Sequence, residues 1–522
     1  MGIYLNPGFG NLMTDRRSDS YIDKSMLIKE LNGFIGKPDP LICVSRPRRF
    51  GKTMAANMLS AYYSKGCDSH EVFKGLKISD DPSFEEHINR YNVIYLDMNA
   101  IFRTKGKSRF LTDAVRSIVV SDIRKSYPEL DINEDTDMWM AMRCVYDETG
   151  IKFIVIMDEY DVLVREKATH EEVDGFIDLL ITLFKNSYMS EVIALAYITG
   201  ILPIVRESFQ SKLNNFREFT MVDAEGLAPF IGFTRDETEY LAGRTGMDMT
   251  ELERWYDGYC VNGIELYSPK SVIEALRKKR CGDYWIQTGS YDAIRIYIEM
   301  NLYGIKDDVL KMMTGVPVRV NVSSYENKMN SFRSRDDVFT YLIHLGYLAY
   351  DAETETCRIP NNEVMNQWGN AIAASEIYVN FARIAENSRD LLDATLRLDS
   401  DAVAESLAKS HEMLTSNLSY NNEQSLQSAV MLAYFYARSY YTVIPECPAG
   451  KGYADVVMIP AVPGKPALVI ELKKDKSAGG AIEQIKAKNY PSVLGKYNGD
   501  IILAGVNYDS KTKEHMALLE KA

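Results

Sequence analysis

The chain contains few of the residues that build disulfide networks or zinc sites. Its seven cysteines are scattered and form no CxxC pair, and its six histidines show no HExxH pattern. These absences argue against a disulfide framework and a zinc site, and we expect most cysteines to be small buried apolar residues. A catalytic metal would therefore need carboxylate ligands, which favours Mg²⁺ or Mn²⁺.

Long apolar runs and a basic leader segment are also missing. The longest apolar stretches, such as 153–157 and 192–198, are far shorter than the roughly 20 residues that cross a bilayer. The N-terminal segment lacks the basic start and apolar core of a signal peptide. We therefore expect a cytoplasmic protein with no membrane partner.

An excess of positive charge is absent as well. The formal net charge is -13, which argues against a protein that coats nucleic acid through its bulk charge. Basic clusters at 46–52, 277–280 and 473–476 still leave a local basic groove open. A solvated surface explains any one of these clusters equally well.

The N-terminal half alternates apolar strands with helical segments. Strands are predicted at 41–44, 93–97, 152–157 and 191–199, and a helix follows the first strand from residue 52. Near-continuous apolar strands are typical of a sheet that is buried on both faces. This pattern predicts an α/β fold with a doubly wound, mostly parallel sheet.

The rest of the chain is expected to be mostly helical, with a strand-rich C-terminus. Thr234 and Glu237 form a capping box that begins one helix, and residues 269–280 suit another. Residues 333–364 suggest a helix followed by a hairpin, which is a winged-helix-like arrangement. Beyond the helical stretch 370–440, two strands, a helix and a last strand are predicted; these lie at 452–459, 467–473, 481–490 and 500–506.

A phosphate-binding loop is predicted between the first strand and its helix. Such loops offer backbone N–H groups at a helix N-terminus, a lysine for the β- and γ-phosphates and a hydroxyl for Mg²⁺. The sequence departs from GxxxxGK[ST] in that Arg46 occupies the position of the first glycine. The residues predicted to bind ATP here are Arg49, Phe50, Gly51, Lys52 and Thr53.

Two acids end the third predicted strand, about 100 residues after the loop. An acid at the tip of a buried strand can hold Mg²⁺ through water, and the next can polarise the attacking water. We assign the first role to Asp158 and the second to Glu159. Thr199 ends the next strand and could sense the γ-phosphate, although an ordinary strand-end threonine fits as well. The alternative without a nucleotide site is that Lys52 simply begins a helix and that the two acids cap another helix.

At these residues the chain resembles the AAA-ATPase-like family found in many bacteria. The resemblance covers nearly the whole chain and includes YIDKSMLI from residue 21, RPRRFGKT from residue 46 and TGILP from residue 199. The family uses RPRRFGK[ST] as its phosphate loop, so Arg46 is a shared variant. The resemblance implies a AAA-like ATPase domain joined to a C-terminal nuclease domain.

The C-terminal strands carry a pattern suited to metal-dependent phosphodiester cleavage. Such chemistry needs carboxylates that converge on Mg²⁺ and a lysine that orients water or stabilises charge. Glu471 and Lys473 lie two apart on one strand and so project from one face, and Asp455 lies on the preceding strand. This arrangement resembles the PD-(D/E)XK nuclease superfamily.

Two helices would complete that site. Gln484 and Lys488 lie four apart and resemble the QxxxK/Y element of the superfamily, with Tyr490 beyond. Asn422 and Glu423 begin a segment, continued by Gln427 and Ser428, that resembles NExxxQS. Glu423 could supply a helix-borne acid of the site. A surface hairpin with ordinary charges is the bland alternative for the whole pattern.

These predictions divide the chain into four regions. They are a AAA-like P-loop ATPase domain at 1–230, a helical lid at 231–330, a helical or winged-helix-like region at 331–410 and a PD-(D/E)XK domain at 411–522. We expect ATP binding to be coupled to metal-dependent cleavage of nucleic acid, with DNA favoured. The sequence leaves open whether the chain forms a homo-oligomer. In such an assembly a neighbour could supply an arginine finger such as Arg206 or Arg217.

Two other functions compete with this hypothesis. One is a nucleotide-dependent regulatory switch that binds nucleic acid or a partner through a nuclease-like domain that does not cleave. The intact set Asp455, Glu471 and Lys473 speaks against it. The other is a metabolic ATPase or kinase, which leaves the C-terminal pattern unexplained.

Overall fold

The computed structural model describes most of the chain. It covers residues 2–104, 110–166, 168–204, 213, 215–285, 294–296, 305–325, 332–373, 379–414, 423–449, 452–460, 464–488, 494 and 499–522. The described chain divides into two compact units. The first contains Met1–Leu252, Tyr256–Trp285 and Arg319–Cys357, and the second contains Glu253–Trp255, Ile286–Val318 and Arg358–Ala522.

A five-stranded parallel sheet forms the centre of the first unit. Its strand order is β2-β3-β4-β1-β5, and every neighbouring pair is parallel. The strands are β1 (Leu41–Ser45), β2 (Asn92–Asp97), β3 (Phe153–Asp158), β4 (Ile193–Gly200) and β5 (Arg217–Phe219). Every residue of β1, β3 and β4 is buried. The predicted parallel α/β fold is thus confirmed, with β5 as an additional edge strand.

Helices pack around this sheet, because the apolar faces of the helices and of the sheet are buried against each other. They are α1 (Gly10–Arg16), α2 (Met26–Asn32), α3 (Lys52–Tyr63), α4 (His70–Phe73), α5 (Phe84–His87), α6 (Met98–Thr104), α7 (Leu111–Ser126), α8 (Met138–Thr149), α9 (Val162–Arg165) and α10 (His170–Phe184). Gly150, at φ 67°, closes α8 directly before β3 because glycine adopts left-handed backbone without a Cβ penalty. One apolar core joins α7, α8 and α10 to the sheet.

The rest of the first unit combines short strands with capped helices. The capping box predicted at Thr234 and Glu237 begins α11. The elements are β6 (Phe233–Thr234), α11 (Arg235–Thr245), α12 (Met249–Tyr256), β7 (Tyr259–Val261), β8 (Ile264–Tyr267) and α13 (Pro269–Lys278). Within α12, Glu253–Trp255 are assigned to the second unit. The small sheet β6-β8-β7 lies in a region that was expected to be mostly helical.

The helix and hairpin predicted at 333–364 are present in the structure. We call the segment 334–358 the helix–hairpin module. Its elements are α15 (Arg335–Leu345), β10 (Ala349–Asp351) and β11 (Thr356–Arg358), and β9 (Val318–Arg319) pairs with β11. Gly346, at φ 86°, ends α15.

The second unit is a bundle of helices and a five-stranded mixed sheet. Its helices are α14 (Ile305–Met313), α16 (Asn362–Ala373), α17 (Val379–Leu396), α18 (Ser400–Leu414), α19 (Glu423–Ala433) and α20 (Ala478–Ala487). Its strands are β12 (Tyr441–Ala449), β13 (Gly452–Pro460), β14 (Ala467–Lys474), β15 (Ile501–Asp509) and β16 (Glu514–Lys521), in sequential order across the sheet. Only β14 and β15 are parallel neighbours.

Separate apolar cores cover the two faces of this sheet. One contains Leu468, Ile470 and Leu472 with residues of α17 to α19, and the other contains Ala467 and Val469 with residues of α20. Both faces of β14 are therefore covered, including the face that carries Glu471. No helix within the described ranges has the length and apolar character needed to span a bilayer.

Candidate nucleotide and metal sites

The predicted phosphate loop joins β1 to α3. Gly51 precedes α3 with φ 94° and Arg49 has φ 68°, so the chain turns sharply through left-handed backbone before the helix begins. Lys52 is the first helical residue, and its Nζ donates to the carbonyl oxygens of Arg46 at 3.0 Å and Pro47 at 2.9 Å. Burial lowers the pKa of Lys52 to about 8, so the lysine is mostly charged at neutral pH.

Thr53 and Asp158 meet at one end of the sheet. Thr53 Oγ1 donates to Asp158 Oδ2 at 2.6 Å, although the two residues lie 105 positions apart. Burial raises the pKa of Asp158 to about 6, and its second oxygen, Oδ1, is buried without a hydrogen-bond partner. A hydrated Mg²⁺ could bind the unpartnered oxygen of Asp158 and the neighbouring hydroxyl of Thr53.

Glu159 follows Asp158 in a left-handed conformation, at φ 54°. Its carboxylate is held by Arg165, whose Nη2 lies 2.5 Å from Oε2. Arg165 also pairs with Asp161 at 3.3 Å, and Asp161 accepts from the backbone N–H groups of Ile201 and Leu202. The residue predicted to polarise water is therefore held by a cation from α9.

Thr199 lies on β4, which is between β3 and β1 in the sheet. Asp158 ends β3, and the phosphate loop follows β1. Thr199 Oγ1 donates to the carbonyl oxygen of Val44 at 2.8 Å, and the residue is completely buried. In this arrangement the hydroxyl connects β4 to β1. A contact with a γ-phosphate would require it to leave that carbonyl.

Arg46 occupies the position of the first loop glycine and is fully buried. Its Nη1 donates to the carbonyl oxygens of Ser45, Phe219 and Thr220 at 2.9, 3.2 and 3.0 Å. Its Nε and Nη2 have no hydrogen-bond partner. Burial lowers the pKa of Arg46 to about 10. The side chain therefore braces the loop against β5 and the turn that follows it.

A cavity of about 320 Å³ lies beside Gly51 and the first two turns of α3. Its wall is mainly apolar and includes Tyr21, Ile22, Met54, Phe230 and Ile273. A pocket that adjoins a phosphate loop and is lined by aromatic and aliphatic side chains suits a nucleoside. Sequence reasoning did not assign these residues to the nucleotide site because they come from four separate segments of the chain.

The predicted C-terminal site centres on Glu471. The residue is 2% exposed, and burial, followed by the neighbouring charge of Asp455, raises its pKa. Lys473 Nζ donates to Glu471 Oε1 at 2.8 Å, and the amide of Gln484 donates to the same oxygen. Glu471 Oε2 is buried without a partner.

Asp455 lies at the open end of the β13–β14 ladder. The regular pairs end at Val456 and Ile470, and beyond them Asp455 Oδ2 accepts from the backbone N–H of Leu472 at 2.6 Å. Gln427 of α19 donates to the carbonyl oxygen of Asp455 at 2.7 Å. Four predicted elements (the Asp strand, the Glu-x-Lys strand, the Gln helix and the 423–428 segment) therefore converge.

Some other predicted site residues lie partly or wholly outside the described part of the chain. Glu423 begins α19, but its side chain lies outside the described residues, as do Arg206 and Tyr490. Arg217, the other finger candidate, pairs with Glu225 and lies over the ring of Phe34. Among the described residues, no group of three or more His, Cys, Asp and Glu side chains is arranged to hold a metal. The unpartnered oxygens of Asp158 and Glu471 nevertheless fit a divalent cation that completes its shell with water and phosphate.

Comparison with protein-family models matches two regions of the chain. Residues 9–210 match a family described as a predicted AAA-ATPase, and residues 421–517 match the PD-(D/E)XK nuclease superfamily. These matches confirm the resemblance drawn from the phosphate loop and from the Asp455, Glu471 and Lys473 pattern.

A curated relative from Azotobacter chroococcum mcd 1, described as an uncharacterized protein in the vnfD 5' region, is 24% identical over 270 residues. The match spans 47% of each chain, so this chain covers about half of the relative's length. Among solved structures, ORC2 of Aeropyrum pernix in ADPNP–ADP complexes matches 68% of this chain and 93% of its own, at 11% identity and TM-score 0.34. ORC1 of Aeropyrum pernix in complex with DNA matches 94% and 99%, at 10% identity and TM-score 0.28.

Proposed function

We propose that this chain, which carries a predicted AAA-ATPase domain and a PD-(D/E)XK nuclease-superfamily domain, binds ATP with Mg²⁺ and cleaves nucleic acid in a metal-dependent reaction. DNA is the favoured substrate. The observation that carries the cleavage proposal is the state of Glu471. A buried carboxylate with one oxygen held by two donors and the other unpartnered costs free energy unless a ligand completes it.

The residues of the nucleotide site have distinct roles in this proposal. The N–H groups at the start of α3 and the Lys52 ammonium bind the β- and γ-phosphates, and Thr53 and Asp158 hold the Mg²⁺. The cavity beside Gly51 accepts the nucleoside. Glu159 orients the attacking water after it leaves Arg165.

The residues of the C-terminal site also have distinct roles in this proposal. Asp455 and Glu471 bind the divalent cation, and Gln484 and Lys473 fix the orientation of Glu471 through its other oxygen. In this proposal Lys473 also stabilises negative charge on a phosphate. A bound Mg²⁺ or Mn²⁺ supplies Lewis-acid polarisation and a more acidic water.

The test is incubation of the full chain with labelled plasmid and linear DNA, with separate omissions of ATP and of divalent metal. We expect metal-dependent cleavage that Asp455→Asn and Glu471→Gln each reduce by about 100-fold or more. Both variants should keep wild-type ATP affinity. Glu483→Gln is the matched control, because Glu483 is exposed on α20 beside Gln484.

Two outcomes would contradict the proposal. Cleavage that persists in both variants would remove the assigned site. ATP and DNA binding by the wild-type chain without cleavage in either metal would favour the non-cleaving regulatory switch. Lys52→Ala separates the sites, because it should abolish ATP binding and leave the metal site of the second unit intact.

A further inference from the structure

The outer side of the phosphate loop is held by a pair of reciprocal hydrogen bonds. Trp285 Nε1 donates to the carbonyl oxygen of Arg48 at 3.1 Å, and Arg49 Nη1 donates to the carbonyl oxygen of Tyr284 at 3.1 Å. Trp285 is 7% exposed, so its N–H needs a protein partner. One dipeptide thus contacts two consecutive residues of a loop that lies more than 230 positions away.

The helix–hairpin module adds a second contact at the same place. A Cβ at Gly346 would lie 2.9 Å from the ring of Pro47 and 3.2 Å from Trp285. The rings of Trp285 and Tyr347 lie 5.3 Å apart. Because the packing leaves no room for a side chain at 346, the end of α15 lies directly against the loop.

Tyr259 completes the enclosure. Its hydroxyl donates to the carbonyl oxygen of Gly346 at 2.6 Å in a buried position, and its ring meets Phe50 edge-on at 5.6 Å. Loop residues 47–50 are therefore contacted by three segments, near 259, 284–285 and 346. We call these three segments the collar.

The collar and the phosphates would act on the same peptide groups. Phosphate binding needs the loop N–H groups to point inward, and the carbonyl of Arg48 that Trp285 holds belongs to the peptide whose N–H is that of Arg49. The orientation of that peptide plane is therefore fixed from the outside. Rotation of this plane would break the Trp285 hydrogen bond.

We propose that Trp285 is a positioning residue that sets the phosphate loop for triphosphate binding and transmits nucleotide binding to the helix–hairpin module through the collar. The inference rests on the proposed nucleotide binding by Lys52 and Thr53 and adds its regulation. Nucleotide would then control the environment of α15 and its hairpin.

The test compares Trp285→Phe, which keeps an apolar ring and removes the N–H donor, with the wild-type full chain. Loss of one hydrogen bond should weaken Mg–ATP binding by about 3- to 10-fold, while binding of adenosine, which has no phosphate, stays unchanged. A general loss of structure would weaken both ligands. Trp139→Phe in α8 is the matched control and should bind both as wild type does.

Tryptophan emission gives an independent measurement. Saturating Mg–ATP should change the emission of the wild-type chain and of Trp139→Phe, and this change should disappear in Trp285→Phe. Hydrogen exchange of 346–358 should slow with Mg–ATP in the wild type and respond less in Trp285→Phe. Unchanged ATP affinity together with an unchanged emission response in Trp285→Phe would overturn the inference. A wild-type chain that binds no ATP would instead overturn the proposed function.

Discussion

Arg165 Nη2 lies 2.5 Å from Glu159 Oε2, so the acid next to the predicted Mg²⁺ ligand is already paired with a cation. The side chain of Arg165 is only 10% exposed, and its Nε also contacts Asp161. A charge-assisted hydrogen bond in such a position is stronger than one between neutral groups. In the proposed mechanism, Glu159 must leave this partner before it can accept a proton from water.

Arg165→Gln should therefore increase ATP hydrolysis. The substitution removes the charge that holds Glu159, and we expect a steady-state rate about tenfold higher with unchanged ATP affinity. Arg165→Lys keeps a cation and should stay near the wild-type rate. A lower rate in Arg165→Gln, measured by phosphate release, would mean that Arg165 assists hydrolysis instead of holding Glu159 away from water.

The central strands could be predicted because each is a continuous apolar run. Every residue of β3 and β4 is buried, which produces an unmistakable signal. In the two five-stranded sheets, the strands that were missed (β5, β12 and β16) all lie at sheet edges. β12 contains Pro445 and Pro448, which an edge strand tolerates because one side needs no N–H donors. β5 is three residues long, which is too short for a periodic pattern.

Gly505 should be intolerant of a side chain. It lies on β15, and an added Cβ would lie 2.2 Å from the carbonyl oxygen of Ala478 and 3.1 Å from Ala481. Gly505→Ala must push α20 away from the sheet, which should cost about 3 kcal/mol of the free energy of unfolding of the second unit. Chemical denaturation that follows this unit would measure the change.

Gly243→Ala is the control for this substitution. Gly243 lies within α11, and a Cβ there would meet nothing within 4 Å. Alanine should stabilise the first unit by about 0.5–1 kcal/mol. Similar stability of Gly505→Ala and the wild type would mean that α20 packs less closely than the structure indicates.

His411 and His515 should make the second unit sensitive to acid. His411 Nδ1 and His515 Nε2 lie 2.6 Å apart, and burial lowers the pKa of each to about 4, with the charge of His411 adding to the effect on His515. The ordinary value is 6.5, so the unfolded chain binds more protons between these limits. Stability is then highest above about pH 6.5 and is lost as the pH falls towards 4.

The loss over this range should be on the order of 2 kcal/mol, allowing for partial solvation of the pair. His515→Phe replaces one ring with an apolar ring that cannot titrate. Unfolding of the second unit, measured at pH 7 and pH 5, should differ less in this variant than in the wild type. An equal or larger difference would show that other groups cause the acid sensitivity.

Site residues that belong to a motif could be predicted, whereas contacts with residues outside any motif could not. The spacing of Glu471 and Lys473 implies a common face, and the structure has their side chains 2.8 Å apart. The pairing of Trp285 with Arg48 depends on how distant segments pack. Nothing in either local pattern encodes it. The same holds for Arg165, whose helix is only four residues long.

Arg46 provides the sharpest test of how far this loop departs from GxxxxGK[ST]. Restoring glycine there would match the general motif, yet the structure argues that Arg46→Gly is harmful. The fully buried side chain fills space and satisfies three carbonyl oxygens, and its removal leaves a cavity and unpaired acceptors. We expect Arg46→Gly and Arg46→Ala to lower the stability of the first unit by about 3 kcal/mol or more, measured by chemical denaturation without nucleotide.

Arg48→Ala removes an exposed arginine from the same loop and should change stability by less than about 0.5 kcal/mol. If Arg46→Gly matched Arg48→Ala in stability, the brace between the loop and β5 would have no energetic role.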